Sequence, residues 1–277
     1  MSLEYAPSGL IGLLTPQANT TAELEFGALL PRGVAPLVAR MTSQCATLED
    51  RLIEYFDRLD ETIAQFSNAP LSVIAVACTG SSYLIGPAAE NALLERLSAR
   101  FGVPVTSAGR SVVQACRALS VQRVAVLSPY SESLTHESVT YWQTHGIEVL
   151  EVVRIEAASS AFHPIYAMKT GMTAQALQSV QTQHAQAIIA LGTGLPSLHT
   201  VLTRARQGGT PLFSCMVALA WNALNLAQIG QPGPMGLAEL LRGAEWGERF
   251  ESRYGDPDGQ PSALDRLSPS IIDVRNK

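Results

Sequence analysis

"SVIAVACTGSSYLIG" (residues 72–86) and "QAIIALGTGLPSLHT" (residues 186–200) follow one pattern: an apolar strand, a turn of small residues, then a helix start. Cys78 and Gly192 stand at equivalent places in the two stretches. A second pair, "IGLLTPQANTT" (11–21) and "RVAVLSPYSES" (123–133), repeats strand, Thr/Ser-Pro and polar residues. A duplicated α/β lobe accounts for both pairs. Ligands of such sheets bind at the carboxyl ends of the strands, so all four turns are expected around one cleft.

The rest of the chain agrees with that reading. Apolar runs of strand length occur at 10–14, 72–78, 123–128, 147–153, 187–192 and 211–213. Helical periodicity fills 46–66, 84–101, 108–119, 132–145, 171–184, 197–207 and 216–228. Near-continuous apolar strands alternating with helices predict parallel sheets covered on both faces. The expected division is a first α/β lobe at 1–120 plus 215–232 and a second at 121–214. From 233 to 277 the sequence turns polar and reads as a tail.

Composition narrows the chemistry. The 277 residues are 47% hydrophobic, enough for a substantial core, and the net charge is −5 with no basic stripe. Neither nucleic acid nor an anionic membrane is an expected partner. "PLSVIAVAC" is about half the roughly 20 residues that cross a bilayer, and the N-terminus has no secretory leader pattern; a cytosolic protein is expected. Cys45, Cys78, Cys116 and Cys215 are far apart, and the five histidines show no ligand spacing, which argues against a zinc site or a disulfide framework. Lys169 and Lys277 are the only lysines, leaving few candidates for a Schiff base. The expected chemistry is metal-free and uses the side chains themselves.

Four turns can carry it. Cys78 is either a packed core thiol, the usual fate of a buried cysteine, or a nucleophile whose thiolate is favoured by the N–H groups of the following helix start. The small, hydroxyl-rich run Thr79, Gly80, Ser81, Ser82 moves the balance toward function. "LGTGLPSLH" (191–199) is either a tight strand-to-helix turn or an anion site offering the N–H groups of Thr193 and Gly194. In "TPQANTTAELE" (15–25), Pro16 and Asn19 stand before a helix start. Asn19 either caps that helix or grips a carboxylate. Tyr130, in "SPYSES", either packs at the lobe junction or donates to an oxyanion.

Together these turns resemble the aspartate/glutamate racemase superfamily, in its maleate cis-trans isomerase and arylmalonate decarboxylase branch. The likeness covers about residues 8–230 and rests on the order and spacing of "PQANTTAELE", "ACTGSS", "SPY", "GLPSL" and "PLFSCMVALAW". It implies two pseudo-symmetric lobes, no cofactor, and a small dicarboxylate held between the lobes. By position, Asn19 binds a substrate carboxylate beside Pro16, Cys78 is the first catalytic thiol, and Thr79 and Gly80 donate backbone hydrogen bonds. Tyr130 holds the substrate or its enolate, and Gly192, Thr193 and Gly194 form the opposite wall. Two departures stand out. Gly192 replaces the second thiol of the two-cysteine members, and His163 replaces a substrate-binding asparagine. Cys215 is a replacement thiol or, the reading preferred here, a packed one.

One thiol suffices for covalent cis-trans isomerisation of a cis-enedioic acid by addition, rotation and expulsion. The alternatives are decarboxylation of a malonate with Cys78 as sole proton donor, and a non-catalytic carboxylate-binding relative. The sequence leaves a homo-oligomer open.

Overall fold

The computed structural model describes residues 3–156, 164–243 and 245–255. Two four-stranded sheets organise it, every neighbouring pair parallel. The first contains β1 (Gly9–Pro16), β2 (Val34–Met41), β3 (Val73–Val76) and β4 (Val105–Ser107) in the order β2-β1-β3-β4. The second contains β5 (Arg123–Ser128), β6 (Glu148–Arg154), β7 (Ala187–Ala190) and β8 (Leu212–Ser214) in the order β6-β5-β7-β8. The two orders are the same, so the duplication read from the turns is a duplication of topology. Even the strand ends correspond: Ala77 N–H donates to Leu14 O at 2.7 Å and Leu191 N–H to Leu127 O at 2.9 Å. The residues that follow, Cys78 and Gly192, therefore leave their sheets at matching points.

The central strands β1, β3, β5 and β7 are buried along nearly all their length, as continuous apolar runs in a covered parallel sheet must be. Helices α1 (Ala22–Leu29), α2 (Leu48–Asp57), α3 (Leu59–Ala64), α4 (Thr79–Phe101) and α5 (Ala108–Ala118) follow the strands of the first sheet. Helices α6 (Glu132–Thr144), α7 (Thr170–Gln178) and α8 (Leu198–Gln207) follow those of the second. The helix read over 84–101 begins earlier, at Thr79, and bends at Gly86 (φ 76°), which Pro87 follows. A proline removes a helical N–H and crowds the preceding turn, so the bend falls there.

After β8, helix α9 (Cys215–Leu226) returns to the first sheet, packing on α5, α1 and β3. Its residues 215–224 are all buried, and Asn222 Nδ2 donates to Thr106 Oγ1 (2.9 Å) and Ser111 Oγ (3.1 Å). This crossing joins the lobes through one apolar core.

The expectation of a polar tail from residue 233 needs correction. Residues 233–242 form α10 and 247–254 form α11, with Leu237, Trp246 and Phe250 buried. Arg249 also donates to Leu30 O at 2.9 Å. Three apolar side chains spaced for one-sided burial outweigh the turn-rich composition around them. Residues 256–277 lie outside the described residues. Among the described residues, no helix is long and apolar enough to cross a membrane.

Candidate active site

A cavity of about 180 Å³ opens between the lobes at the carboxyl ends of the strands. Of the residues singled out in the sequence, Pro16, Cys78, Thr79, Gly80, Tyr130, Gly192, Thr193 and Gly194 line it. His163 lies outside the described residues.

Cys78 ends the strand segment with extended backbone (φ −146°, ψ 110°) and stands at the N-cap of α4. Its Sγ is 3.2 Å from Ser81 Oγ, and Ser81 Oγ donates to Leu52 O at 2.6 Å. A serine has one hydroxyl proton; with that proton on Leu52 O, the thiol is the donor to Ser81. Burial pushes the thiol above its ordinary value, against the opposing pull of the Ser81 hydroxyl and the N–H groups of Ser81 and Gly80. The field of the helix start is therefore present, but desolvation outweighs it. Cys78 thus carries features of both alternatives, a buried thiol whose anion would meet donors at the helix start.

Tyr130 follows β5 in the other lobe, and its hydroxyl meets Thr79 Oγ1 at 2.6 Å. Burial holds its phenol well above the usual range, so it remains an O–H donor. Tyr83 supports the ring edge-on, with centroids 6.0 Å apart.

Asn19 does not line the cavity. Its Oδ1 accepts from Thr21 N–H (2.9 Å) and Ala22 N–H (3.0 Å), which satisfies the start of α1. Its Nδ2 reaches Thr193 Oγ1 at 3.4 Å, and Thr193 Oγ1 donates to Ala77 O at 2.7 Å. Asn19 Oδ1 thus makes the capping contacts, while its Nδ2 stands behind the wall formed by Thr193.

Gly192 has φ +87°, and a Cβ there would lie 3.0 Å from Pro129 Cγ and 3.2 Å from Tyr130 Oη. At Gly80 a Cβ would come within 2.8 Å of Leu52 Cδ1. Both glycines let a neighbouring wall approach. Cys215, at the head of α9, is fully buried and outside the cavity lining. Burial pushes its thiol up to about 12, against the opposing pull of the Gly192 N–H and the Thr79 side chain.

Sequence reasoning missed the remaining lining: Gln17 and Ala18 after β1, Leu48, Arg51, Leu52 and Tyr55 on α2, Leu134 on α6, and Ile165 and Tyr166 in a 3-10 turn at 164–167. It also missed Glu25. This buried α1 carboxylate accepts from Ser197 N–H (2.6 Å), Leu198 N–H (3.1 Å) and Ser197 Oγ (2.9 Å) at the head of α8, fastening one lobe to the other. Glu23 and Glu25 both stand in the first turn of α1, and only the tertiary fold shows that Glu25 turns inward.

Two pseudo-symmetric lobes with a thiol, a phenol and small-residue turns around the cleft between them define a class of two-lobed α/β proteins with a small-molecule-sized cavity at the lobe junction. Residues 11–240 match the arylmalonate decarboxylase family model, and the chain belongs to that family. It is 27% identical over 242 residues to the maleate isomerase of Nocardia farcinica, covering 84% of this chain and 95% of that one. Its fold is similar to the maleate isomerase of Pseudomonas putida S16, solved as a cysteine-to-alanine variant with maleate (TM-score 0.74, 25% identity, 86% of this chain and 99% of that one). It is similar also to the Nocardia farcinica maleate cis-trans isomerase, solved as a cysteine-to-serine variant with a covalently bound succinylcysteine intermediate (TM-score 0.73, 25% identity, 84% and 98% covered).

Proposed function

We propose that this chain is a cofactor-independent cis-trans isomerase of a small cis-enedioic acid, maleate or a near relative, with Cys78 as its nucleophile. The observation that carries the reading is the position of Cys78, at a helix start on the wall of a cavity closed from the other lobe by Tyr130. The succinylcysteine held by the Nocardia farcinica isomerase is the adduct that such a thiol forms with a four-carbon enedioate.

In the proposed reaction, the Cys78 thiol proton passes to an oxygen of the neighbouring substrate carboxylate as Sγ bonds to one alkene carbon, and the same proton returns to Sγ when the C–S bond breaks. The π pair moves onto the neighbouring carbon and its carboxylate as an enediolate. Rotation about the new single bond follows, the double bond re-forms, and the C–S bond breaks to release the trans acid. Each bond made is broken again, so no cofactor or net proton is consumed. The Tyr130 hydroxyl and the N–H groups of Thr79 and Gly80 are assigned to the enediolate oxygens, the charge that develops only in transit. Thr193 and Gly194 form the facing wall, and Asn19 acts through Thr193.

The test is proton NMR in deuterated buffer with maleate, substituted maleates and arylmalonates. Fumarate-type product lost in Cys78→Ala supports the reading, and an inert wild type on every maleate overturns it. A second reading, decarboxylation of an arylmalonate with Cys78 as proton donor, is favoured by the apolar side chains of Leu48, Leu52, Leu134 and Ile165 around the cavity. It predicts deuterated monoacid instead.

A further inference from the structure

Arg51 lines the cavity yet has no part in the proposed bond-making steps. It is half-buried on α2, next to Leu52, whose carbonyl accepts from Ser81 Oγ at 2.6 Å. Ser81 Oγ is in turn 3.2 Å from Cys78 Sγ. The backbone that carries Arg51 is thereby fixed to the thiol turn through two short contacts. Its side chain is held by Nε donating to Thr47 O at 3.1 Å.

Nothing among the described residues neutralises this guanidinium. No carboxylate lines the cavity, and Arg51 has no ion pair there. The nearby acids on α2 are engaged elsewhere: Asp50 accepts from Thr47 Oγ1 at 2.6 Å, while Glu54 takes the hydroxyl of Ser43 and pairs with Arg58. The positive charge of Arg51 acts on Tyr55 and Tyr166, both of which line the same cavity. The cavity thus has two places that attract anions. One is the α4 start beside Cys78, and the other is Arg51. A ligand with one carboxylate satisfies one of them, and a ligand with two satisfies both.

We propose that Arg51 is the specificity-determining residue of the site, receiving the second carboxylate of the substrate so that the cleft selects dicarboxylates over monocarboxylates of the same shape. This rests on the reading of the site as one for a small enedioate. A guanidinium offers a planar pair of N–H donors that match a carboxylate, which a neutral side chain cannot replace and a lysine replaces in part.

The experiment uses two saturated, unreactive probes, succinate and its half-amide succinamate, titrated calorimetrically into wild type, Arg51→Gln and Arg51→Lys. A hydrogen-bonded charge pair of about 1.5–3 kcal/mol corresponds to roughly 10- to 150-fold in affinity. Wild type is expected to prefer succinate at least about tenfold, Arg51→Gln to lose that preference while binding succinamate nearly as before, and Arg51→Lys to recover part of it. Unchanged succinate preference in Arg51→Gln overturns the proposal, as does a wild type that binds neither probe. Maleate turnover separates this from the isomerase reading. Selective binding without turnover leaves Arg51 standing and removes the isomerase, whereas turnover with an unchanged preference in Arg51→Gln does the reverse. Equal melting temperatures of the three proteins establish that a lost preference is not lost folding.

Discussion

The hydroxyls of Tyr130 and Thr79 meet at 2.6 Å, each contributed by a different lobe. Thr79 directly follows Cys78, so this bond fixes the position of the phenol relative to the thiol. The buried phenol keeps its proton well above the usual range, and it is the donor assigned here to the enediolate. Tyr130→Phe is expected to lower kcat about 100- to 1,000-fold, the usual cost of one oxyanion donor. Alkylation of Cys78 by a small neutral reagent should change by less than about twofold. Steady-state kinetics and a timed alkylation read the two effects separately, and a loss of both together would assign Tyr130 to packing.

The pH dependence of Cys78 follows from its burial. Its thiol is raised above the ordinary value of 9.0, so alkylation should climb through the alkaline range with an inflection above that of free cysteine. Ser81→Ala removes the hydroxyl that can turn from Leu52 O to donate to the thiolate once it forms and should move the inflection further up. Iodoacetamide labelling followed by mass spectrometry across pH 6–11 measures both; an inflection below neutral would overturn this account.

Glu25 supplies a second pH dependence, in stability. Burial raises its carboxyl from 4.5 to about 7, against the N–H groups of Ser197 and Leu198 and the Ser197 hydroxyl. Between those values the native protein holds a proton that the unfolded chain has released. Stability is therefore fully present below pH 4.5 and is lost as pH rises through about 7. The loss amounts to about 3 kcal/mol at 1.36 kcal/mol per unit. A glutamine keeps the acceptor for both N–H groups without the charge. Urea unfolding at pH 5 and pH 8 should show Glu25→Gln gaining up to about 3 kcal/mol relative to wild type between the two. A constant difference between the proteins would mean that Glu25 titrates normally.

The parts of the fold legible in the sequence were those governed by local pattern. The buried central strands are unbroken apolar runs, and their turns are punctuated by small residues and proline, so the turns carrying Cys78, Tyr130 and Gly192 could be placed from local pattern. The roles read for Tyr130 and Gly192 came with the family resemblance. Strand β2, "VAPLVARM", did not read as a strand because it carries Pro36 and Arg40 and exposes Leu37. It is an edge strand, where a missing N–H is tolerated. Strand β4, "VTS", is three residues long and carries two hydroxyls, so it forms no apolar run. Leu237, Trp246 and Phe250 are apolar residues set among turn signals, and packing on the body organises them. At the site the same division holds. Arg51 and Leu52 belong to a helix visible in the sequence, but the bond from Ser81 to Leu52 O decides which face meets the cavity. That contact is tertiary and leaves no trace in a linear pattern.

Gly192 offers the sharpest contrast between what position suggests and what geometry permits. Resemblance implies a second cysteine at this place, so Gly192→Cys looks like a restoration. The backbone there has φ +87°, and a Cβ would press on Pro129 Cγ at 3.0 Å and Tyr130 Oη at 3.2 Å. A non-glycine residue in that region costs about 1–3 kcal/mol, and the side chain would push the phenol away from Thr79. Gly192→Cys and Gly192→Ala should therefore both lower the melting temperature by a few degrees, at roughly 2–4 °C per kcal/mol for a chain of this size. Both should also lower turnover, because the added Cβ displaces Tyr130 whether or not a thiol follows it. Differential scanning fluorimetry and maleate kinetics on the pair separate strain from chemistry. If the cysteine variant alone gained activity at unchanged stability, the turn would have relaxed to accept it, and the crowding of Tyr130 would not be what keeps this position glycine.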